Sequence, residues 1–239
     1  MQAIILAGGF GTRLRNVIKD KPKSLATLGN KPFLYWQLKW LASENIESVF
    51  IATHYLSDQI ESYIQTDEIK DLSMAISVVR ERKPLGTGGA IKNVFKKEKI
   101  EKNILIINGD TLHNFQIKKI YEFHKKNKSL ATLMISKLVD AHRYGTVEVC
   151  KNKITKFNMA TGQHKQGWIN CGAYIFHPNI IIDFYESTFS IEANFFPKLV
   201  GDGVLFAYKT NEDYTQRDIG IPDTYLKINE QFKTNARQE

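Results

Sequence analysis

Short apolar runs alternate with amphipathic segments through the first half of the chain. Four runs are typical of buried strands: "AIILAG" (3–8), "SVFIAT" (48–53), "AISVV" (75–79) and "NILIING" (103–109). The segments between and after them repeat apolar residues at helical spacing, at 32–45, 56–64, 88–97 and 117–127. Strands separated by helices of this length predict right-handed βαβ units in a largely parallel sheet. Such sheets bind ligands beyond the carboxyl ends of their strands.

The second half of the chain has a different pattern. Strand-like runs with short polar connections occur at 130–136, 145–150, 153–158 and 168–176, which predicts a mixed or antiparallel extension of the sheet. Helices are predicted near 178–187 and 191–199, followed by a strand at 203–209 and a last helix from about Pro222. The whole pattern indicates one α/β domain, with a subregion that covers the substrate.

Composition narrows the class of protein. The chain has 239 residues, of which 43% are hydrophobic, enough for one large α/β core. No apolar run reaches the roughly 18–20 residues of a membrane span, and the N-terminal run is too short for a signal peptide, so we expect a cytoplasmic protein that binds no membrane. The net charge of +8 is spread in short lysine runs. Without a nucleic-acid motif, this favours solvated helix faces and attraction for small anions over nucleic-acid binding.

The first apolar run leads into a glycine-rich loop, "AGGFGTRL" (7–14). Glycines let backbone N–H groups approach a phosphate closely. The spacing does not match a dinucleotide-binding loop, because Leu14 stands where the third glycine belongs, and it does not match a Walker loop either. What remains is a glycine loop followed at once by Arg13, whose planar guanidinium can hold phosphate oxygens bidentately. Lys23, after a proline, offers a second cation ten residues later.

The loop begins a series of ordered motifs that resembles the sugar-phosphate nucleotidyltransferases, the nucleoside-diphosphate-sugar pyrophosphorylases. The motifs run through nearly the whole chain: "LAGGFGTRL", "KPKSL", "ERKPLGTGGA" (81–90), "NGDTL" (108–112), "WINCGAYIF" (168–176) and "DIGIPDTY" (218–225). Among the family, "PLGTGGAIK" and the short chain look most like the heptose 1-phosphate guanylyltransferases. The resemblance implies a Rossmann-like, mainly parallel mixed sheet flanked by helices, with a nucleotide-binding half at about 1–128 and a β-rich sugar-binding half at about 129–239.

The resemblance also implies a reaction and its partners. A sugar 1-phosphate would attack the α-phosphorus of a nucleoside triphosphate, here GTP by preference, and release pyrophosphate. Arg13 is expected at the β- and γ-phosphates and Lys23 at the α-phosphate and the sugar phosphate, while Asp110 and Asp218 would share Mg²⁺. Backbone or side-chain contacts to the nucleotide are expected from Leu6, Ala7, Gly8, Gly9, Gly11, Thr12, Gly86 and Thr87. The sugar is expected at Gly109, Tyr144, Gly145, Asn170 and Gly172, with Glu148 as a further candidate.

Two questions stay open at the level of sequence. Glu81 could accept two hydrogen bonds, from N1–H and N2–H₂ of guanine, or one from the single N3–H of uracil. This favours guanine but does not identify the base. The family usually carries Glu-Lys where this chain has Asn158-Met159, so the lysine that meets the sugar phosphate is missing. Lys156 or Lys165 is a hypothetical substitute.

Because this lysine is missing, the identity of the acceptor stays open, and a second class of function is considered beside catalysis. The acceptor could be N-acetylmuramate or mannose 1-phosphate, with uridylyl or guanylyl transfer, or the chain could be a non-catalytic scaffold member of the family. A homo-oligomer is compatible with the sequence. The chemistry needs no imidazole, so we interpret His54, His113, His164 and His177 as surface or strand-end residues.

Overall fold

The computed structural model describes residues 1–100, 102–158, 162, 166–211, 214 and 217–235. Within these residues the strands are β1 (Gln2–Leu6), β2 (Thr27–Leu28), β3 (Lys31–Pro32), β4 (Ser48–Thr53), β5 (Ala75–Arg80), β6 (Ile104–Asn108), β7 (Thr111–Leu112), β8 (Ala131–Leu138), β9 (Thr146–Cys150), β10 (Lys153–Asn158), β11 (Gly167–Phe176), β12 (Leu205–Lys209) and β13 (Arg217–Asp218). The α-helices are α1 (Phe33–Ser43), α2 (Ser57–Ile64), α3 (Asp67–Lys70), α4 (Gly86–Lys97), α5 (Ile117–Lys126), α6 (Asn179–Ile182), α7 (Phe196–Gly201) and α8 (Pro222–Asn235). Short 3₁₀ turns cover Thr12–Leu14 and Lys23–Leu25, and a π-helical turn covers Ile191–Phe195. The predicted mixed α/β class is confirmed.

The chain divides into two compact units that alternate along the sequence. Unit 1 comprises Met1–Pro84, Asn108–Asn114 and Thr215–Glu239. Unit 2 comprises Leu85–Ile107 and Phe115–Tyr214.

Unit 1 contains a parallel sheet in the order β5-β4-β1. β4 is apolar and buried along nearly its whole length, as expected for a parallel strand with both faces covered. α1 places apolar side chains on one face at helical spacing, and its Phe33, Leu34, Leu38 and Leu41 are fully buried.

A hydrophobic cluster of unit 1 supports the loops that follow its strands. Its members come from five separate segments of the chain: Leu14, Ala26, Leu28, Phe33, Leu112, Ile219, Tyr225 and Ile228. The hydroxyl of Tyr225 donates to the carbonyl oxygen of Thr27 at 2.7 Å, which ties α8 to the segment after Lys23. The glycine loop, the Lys23 segment and β7 therefore rest on one core.

Unit 2 has strands in the order β6-β11-β8-β12-β10-β9. β11 runs antiparallel to β6, β8 and β9, whereas β12 runs parallel to β8. The mixed extension predicted for the second half is confirmed. α5 buries Ile117, Ile120 and His124 at helical spacing and carries Lys125 and Lys126 in its last turn, where positive charge is favourable at a helix C-terminus.

The helix predicted over 178–187 is wrong beyond its first turn, because only Asn179–Ile182 is helical. The following segment gives its backbone carbonyls to a lysine of α4 instead. Lys92 Nζ donates to the carbonyl oxygens of Phe184 and, at 3.3 Å, Glu186. The ring of Phe184 then packs on Phe189 and Phe195 in a buried aromatic cluster. Tertiary contacts have replaced the helical hydrogen bonds here.

No helix in the described part of the chain is long and apolar enough to cross a membrane.

Candidate functional site

The glycine loop of unit 1 follows the carboxyl end of β1. Gly11 has φ of 60°, a left-handed conformation that glycine adopts without strain, and the 3₁₀ turn begins at the next residue. Leu14 is inserted into the hydrophobic cluster with 1% of its surface exposed, and its N–H donates to the carbonyl oxygen of Gly11 at 2.9 Å. The side chains of Thr12 and Arg13 remain exposed. Leu14 thus anchors the loop in the hydrophobic cluster and leaves Thr12 and Arg13 at the surface.

Lys23 connects this loop to a carboxylate far away in sequence. Pro22 has an extended backbone and directly precedes the 3₁₀ turn that starts at Lys23. Lys23 Nζ donates to Asp110 Oδ2 at 2.6 Å, across 87 residues of sequence. A Cβ built on Gly11 would lie 3.4 Å from Lys23 Cβ, so the lysine also borders the glycine loop.

Asp218 lies at the same place because two very short strands pair. In β7 and β13 the residue opposite Asp218 is Thr111, and the N–H of Ile219 donates to the carbonyl oxygen of Asp110 at 2.9 Å. Asp218 Oδ1 accepts from the N–H of Gly220. A Cβ built on Gly220 would be 2.6 Å from Asp218 Oδ1 and 3.2 Å from Lys23 Nζ. One lysine and two carboxylates are therefore gathered at one point of unit 1.

Gln37 is a residue of this site that the sequence reasoning missed. It belongs to α1, is 1% exposed, and donates through Nε2 to the carbonyl oxygens of Asn108 and Thr111, both at 2.9 Å. These two carbonyls flank Gly109 and Asp110, so Gln37 fixes the turn that carries the carboxylate. Its only sequence signal is a polar residue on the apolar face of a predicted helix.

Gly109 holds the same turn against β1. Its N–H donates to the carbonyl oxygen of Leu6 at 3.0 Å, and a Cβ on it would lie 2.5 Å from that oxygen. Only glycine allows the two backbones to come this close.

Glu81 is buried, with 6% of its surface exposed, directly after β5. Its N–H donates to the carbonyl oxygen of Thr53 at 2.8 Å, and its own carbonyl oxygen lies 3.3 Å from His54 Nδ1. A Cβ built on Gly8 would lie 3.1 Å from Glu81 Oε1. The N–H of Ala7 donates to the carbonyl oxygen of Ala52 at 2.8 Å, which continues the pairing of β1 and β4 up to the loop. The structure brings the Glu81 carboxylate to the first glycine of the loop.

His113, interpreted above as a surface or strand-end residue, follows β7 but is buried. Its ring centroid lies 5.5 Å from that of Trp40. Burial lowers the pKa of His113 to about 3, against a smaller opposing effect of the Asp110 carboxylate. This imidazole is neutral at physiological pH.

In unit 2, the start of α4 is packed against the segment around Phe189. The N–H groups of Gly88 and Gly89 donate to the carbonyl oxygen of Phe189 at 2.9 and 3.3 Å, and a Cβ on Gly88 would overlap the Phe189 ring at 2.0 Å. The space beside these two glycines is therefore filled by the segment around Phe189. Gly86 and Thr87 are exposed, and Thr87 Oγ1 accepts from the N–H of Ile191 at 3.0 Å.

Asn170 and Gly172 of β11 lie in a polar network inside unit 2. Asn170 Nδ2 donates to the hydroxyl of Tyr174 and to Glu192 Oε1, each at 2.9 Å, while Oδ1 accepts from the N–H of Gly172 at 2.8 Å. Gly172 has φ of 72°, within an irregularity of the β11–β8 pairing. Glu192 was missed from the sequence, where it falls only within the helix predicted near 191–199. In the structure, Ser190 Oγ accepts a hydrogen bond from the N–H of Glu192 at 3.2 Å.

Tyr144 and Gly145 precede β9. The N–H of Tyr144 donates to the carbonyl oxygen of Ala141 at 2.9 Å, and a Cβ on Gly145 would lie 3.1 Å from the carbonyl oxygen of Asn158. On the paired strands β9 and β10, Lys156 Nζ lies 3.4 Å from Glu148 Oε1, with both side chains about 60% exposed. The hypothetical substitute Lys156 is thus engaged with the sugar candidate Glu148. Met159, His164 and Lys165 lie outside the described residues.

Comparison with known proteins identifies relatives of the whole chain. Residues 2–235 match the family model described as "Nucleotidyl transferase". The D-glycero-alpha-D-manno-heptose 1-phosphate guanylyltransferase of Aneurinibacillus thermoaerophilus is 36% identical over 98% of this chain and 99% of its own length. The enzyme of the same name from Campylobacter jejuni is 37% identical over 94% of this chain and 97% of its own.

Other relatives extend this comparison. The mannose-1-phosphate guanylyltransferase catalytic subunit beta of Xenopus tropicalis is 31% identical, and the match covers all of this chain but 66% of the relative. Among solved structures, HddC from Yersinia pseudotuberculosis complexed with GMP-PN superimposes with a TM-score of 0.85 at 33% identity, covering 97% of this chain and 99% of that one. The resemblance inferred from the motifs is confirmed.

Proposed function

Because this chain belongs to the nucleotidyl transferase family, we propose that it transfers GMP from GTP to a sugar 1-phosphate and releases pyrophosphate. The proposed acceptor is D-glycero-α-D-manno-heptose 1-phosphate. One observation carries this choice: two relatives named for that activity match this chain over nearly the full length of both partners. The mannose-1-phosphate enzymes match at lower identity and are considerably longer, so mannose 1-phosphate is the second candidate.

The reaction has simple bond changes. A phosphate oxygen of the sugar 1-phosphate forms a bond to the α-phosphorus of GTP. The bond from that phosphorus to the oxygen that links it to the β-phosphorus breaks, and its electron pair leaves with pyrophosphate. The nucleophile is already an anion, so no general base is required. The barrier lies in bringing two polyanions together and in stabilising charge at the reacting phosphorus.

The contacts of Lys23 support a role in this chemistry. Its ammonium group borders the glycine loop and contacts the Asp110 carboxylate at 2.6 Å, so its place is fixed before any substrate binds. In the proposed mechanism it neutralises the α-phosphate and the incoming sugar phosphate. Arg13, exposed on the loop, binds the β- and γ-phosphates together with backbone N–H groups of residues 9–12.

Mg²⁺ is the proposed cofactor. Asp110 and Asp218 offer the hard oxygen ligands that Mg²⁺ prefers, on paired backbone segments, and within the described residues no third His, Cys, Asp or Glu joins them. Two carboxylates fit an ion that takes its other ligands from substrate phosphates and water. When bound, the ion would supply positive charge to the phosphate oxygens.

Recognition of the base is assigned to Glu81. A buried carboxylate can accept two hydrogen bonds from the N1–H and N2–H₂ edge of guanine, which adenine and the pyrimidines do not present. Gly8 leaves room for that carboxylate beside the loop. Leu6 and Ala7 would form the floor of this base pocket in unit 1. In unit 2, the exposed Gly86 and Thr87 are further candidates for contacts to the nucleotide.

Recognition of the sugar is assigned to unit 2. Asn170 and Glu192 form a hydrogen-bonded pair whose amide and carboxylate can exchange their mutual contact for sugar hydroxyls. Gly172, Tyr144 and Gly145 are the further sugar candidates in this unit. The product, a GDP-activated sugar, would serve cell-surface glycan synthesis from the cytoplasm.

A substrate panel tests the proposal. The protein is incubated with Mg²⁺, each of the four common nucleoside triphosphates, and the 1-phosphates of D-glycero-α-D-manno-heptose, mannose and N-acetylmuramate, and released pyrophosphate is measured. We expect the highest kcat/KM for GTP with the heptose phosphate. A higher kcat/KM for another pair would replace the substrate assignment, and no release with any pair would favour a non-catalytic scaffold.

A further inference from the structure

In unit 2, α4 contains a lysine whose charged end is buried. Lys92 is 8% exposed, and its Nζ donates to the carbonyl oxygens of Phe184 and, at 3.3 Å, Glu186. Burying an ammonium group costs free energy that such hydrogen bonds offset. A methionine would fill the same place with an apolar side chain and would carry no such cost. Stability alone therefore does not explain a lysine at this position.

The segment that Lys92 contacts, residues 183–190, has an irregular backbone. Its position depends on hydrogen bonds to the start of α4. The N–H of Phe189 donates to the carbonyl oxygen of Leu85 at 2.9 Å, and the carbonyl oxygen of Phe189 accepts from the N–H of Gly88 at 2.9 Å. Because the segment forms no regular element of its own, its contacts with α4, those of Lys92 included, determine where it lies.

The same segment leads directly to a residue that the proposed function assigns to the sugar. The N–H of Ile191 donates to Thr87 Oγ1 of α4 at 3.0 Å, and Glu192 follows at once. Glu192 Oε1 accepts from Asn170 Nδ2 at 2.9 Å. A displacement of residues 183–190 would therefore reach the Glu192 carboxylate through the backbone.

We propose that Lys92 is a positioning residue for the sugar 1-phosphate. Its ammonium group holds residues 183–190 against α4 and thereby fixes the Glu192 carboxylate for the sugar hydroxyls. Lys92 acts through Glu192 and does not itself contact the substrate. The inference rests on the proposed function, because that function assigns Asn170 and Glu192 to the sugar. It assigns the base and the phosphates of GTP mainly to unit 1, so loss of Lys92 should affect the two substrates differently.

The experiment measures the KM for each substrate separately in variants of the full-length protein. The test variant is Lys92→Met, which keeps an apolar side chain and removes the donor. The matched control is Lys96→Met, because Lys96 is an exposed lysine of the same helix. The stability control is Ile120→Val, which removes a methyl group from a fully buried residue of α5. Urea unfolding of each variant gives the folded fraction to which kcat is normalised.

We expect Lys92→Met to raise the KM for the sugar 1-phosphate at least about tenfold, the size of one hydrogen bond lost from a bound substrate. The KM for GTP should change less than about threefold, and both controls should keep both KM values within about twofold. A role in stability alone would make Lys92→Met behave like Ile120→Val, and that result would overturn the proposal. An equal rise of both KM values would overturn it as well.

A double-mutant cycle tests whether Lys92 acts through Glu192. Glu192→Gln should itself raise the KM for the sugar 1-phosphate. In that background, Lys92→Met should raise it further by less than about threefold, because the carboxylate that Lys92 positions is already absent. A full effect of Lys92→Met in both backgrounds, or no effect of Glu192→Gln alone, would contradict the proposal.

Amide hydrogen exchange provides a measurement that needs no turnover. In Lys92→Met, the N–H groups of Phe189 and Ile191 should exchange at least about tenfold faster than in wild type, because the segment opens more often. Unchanged exchange would overturn the proposal. If Lys92→Met does not fold, Lys92→Gln takes its place with the same expectations, since its shorter amide cannot replace both hydrogen bonds of the ammonium group.

The outcomes for this inference and for the proposed function are distinguishable. If wild-type protein reacts with the substrate panel but Lys92→Met shows no selective rise in KM, this inference alone fails. If no substrate pair reacts with wild-type protein, the proposed function fails and the role of Lys92 in the reaction fails with it. Hydrogen exchange then still shows whether Lys92 holds residues 183–190. If the panel selects another acceptor, the KM values are measured with that sugar phosphate.

Discussion

Replacing Gly109 with alanine tests whether the close approach of two backbones positions the carboxylate site. A Cβ at this position would lie 2.5 Å from the carbonyl oxygen of Leu6, about 0.9 Å short of the 3.4 Å at which ordinary contact begins. Ala7 Cα, at 3.2 Å, is also too close. These are backbone atoms that cannot rotate away, so β1 and the turn must separate. Asp110, the next residue, moves with the turn.

The expected size of the effect follows from that displacement. Overpacking of this kind costs about 1–3 kcal/mol of unfolding free energy. A shift near 1 Å in a residue that positions reacting groups lowers the rate by about 100-fold. We therefore expect Gly109→Ala to lower kcat by about 10- to 100-fold while the protein still folds, because the strain is confined to the contact of this turn with Leu6 and Ala7.

The assay compares pyrophosphate release and urea unfolding in Gly109→Ala and in Gly201→Ala. Gly201→Ala is the control, since Gly201 lies in α7 and a Cβ there meets no atom within 4 Å. The control should keep kcat within about threefold of wild type and unfolding free energy within about 0.5 kcal/mol. If Gly109→Ala behaves like this control, the contact with Leu6 does not position Asp110, and that reasoning is refuted.

Three further changes test other parts of the account. Asp110→Asn should lower kcat at least about 100-fold with little effect on stability, since a partly exposed ion pair contributes about 0–1 kcal/mol. The control Asp202→Asn also removes a carboxylate that is hydrogen-bonded to a lysine at 2.6 Å, and it should leave kcat unchanged. Equal kcat values for the two variants would contradict the metal assignment. Glu81→Gln should reduce the ratio of kcat/KM for GTP over UTP by about 10-fold or more, whereas an unchanged ratio would remove Glu81 from base recognition. His113 and His124 have pKa values of about 3 and about 4 in the folded protein, below the ordinary value of 6.5, so only the unfolded chain takes up protons as the pH falls below that value. Stability should therefore decrease by about 2 kcal/mol per histidine between about pH 7.5 and about pH 5, and urea unfolding of His124→Gln should show a smaller decrease; an unchanged pH dependence would contradict the burial argument.

Much of the architecture could be predicted from local sequence because periodicity and burial agree there. β4 is apolar from Val49 to Ala52, and its predicted limits, 48–53, match the structure. α5 has a clear amphipathic period and differs from the prediction by one residue at its end. α5 satisfies its backbone hydrogen bonds within the helix. β4 bonds to the distant strands β1 and β5, but its short apolar run is by itself typical of a buried strand, so local patterns are sufficient for both elements.

The elements that the sequence did not reveal depend on contacts between distant residues. β7 and β13 have two residues each and form only because they pair with each other. No local stretch of the sequence indicates this pairing. The segment after Ile182 has helical spacing but gives its carbonyls to Lys92. Tertiary contacts overrode local preference in both cases.

The candidate site shows the same division. Lys23 and Asp110 were found together only because ordered motifs resembled a family, since 87 residues separate them. Gln37 and Glu192 carry no motif of their own. Each was visible only once the structure showed the carbonyls or the amide that it contacts.

The fate of labelled phosphate tests the central claim most directly. The protein, Mg²⁺ and D-glycero-α-D-manno-heptose 1-phosphate are incubated with GTP labelled either at the α- or at the γ-phosphorus, and the products are separated. The account predicts that α-label enters a GDP-sugar and that γ-label leaves as pyrophosphate, at equal rates. Release of γ-label as orthophosphate, or α-label that never joins the sugar, would contradict guanylyl transfer by this protein.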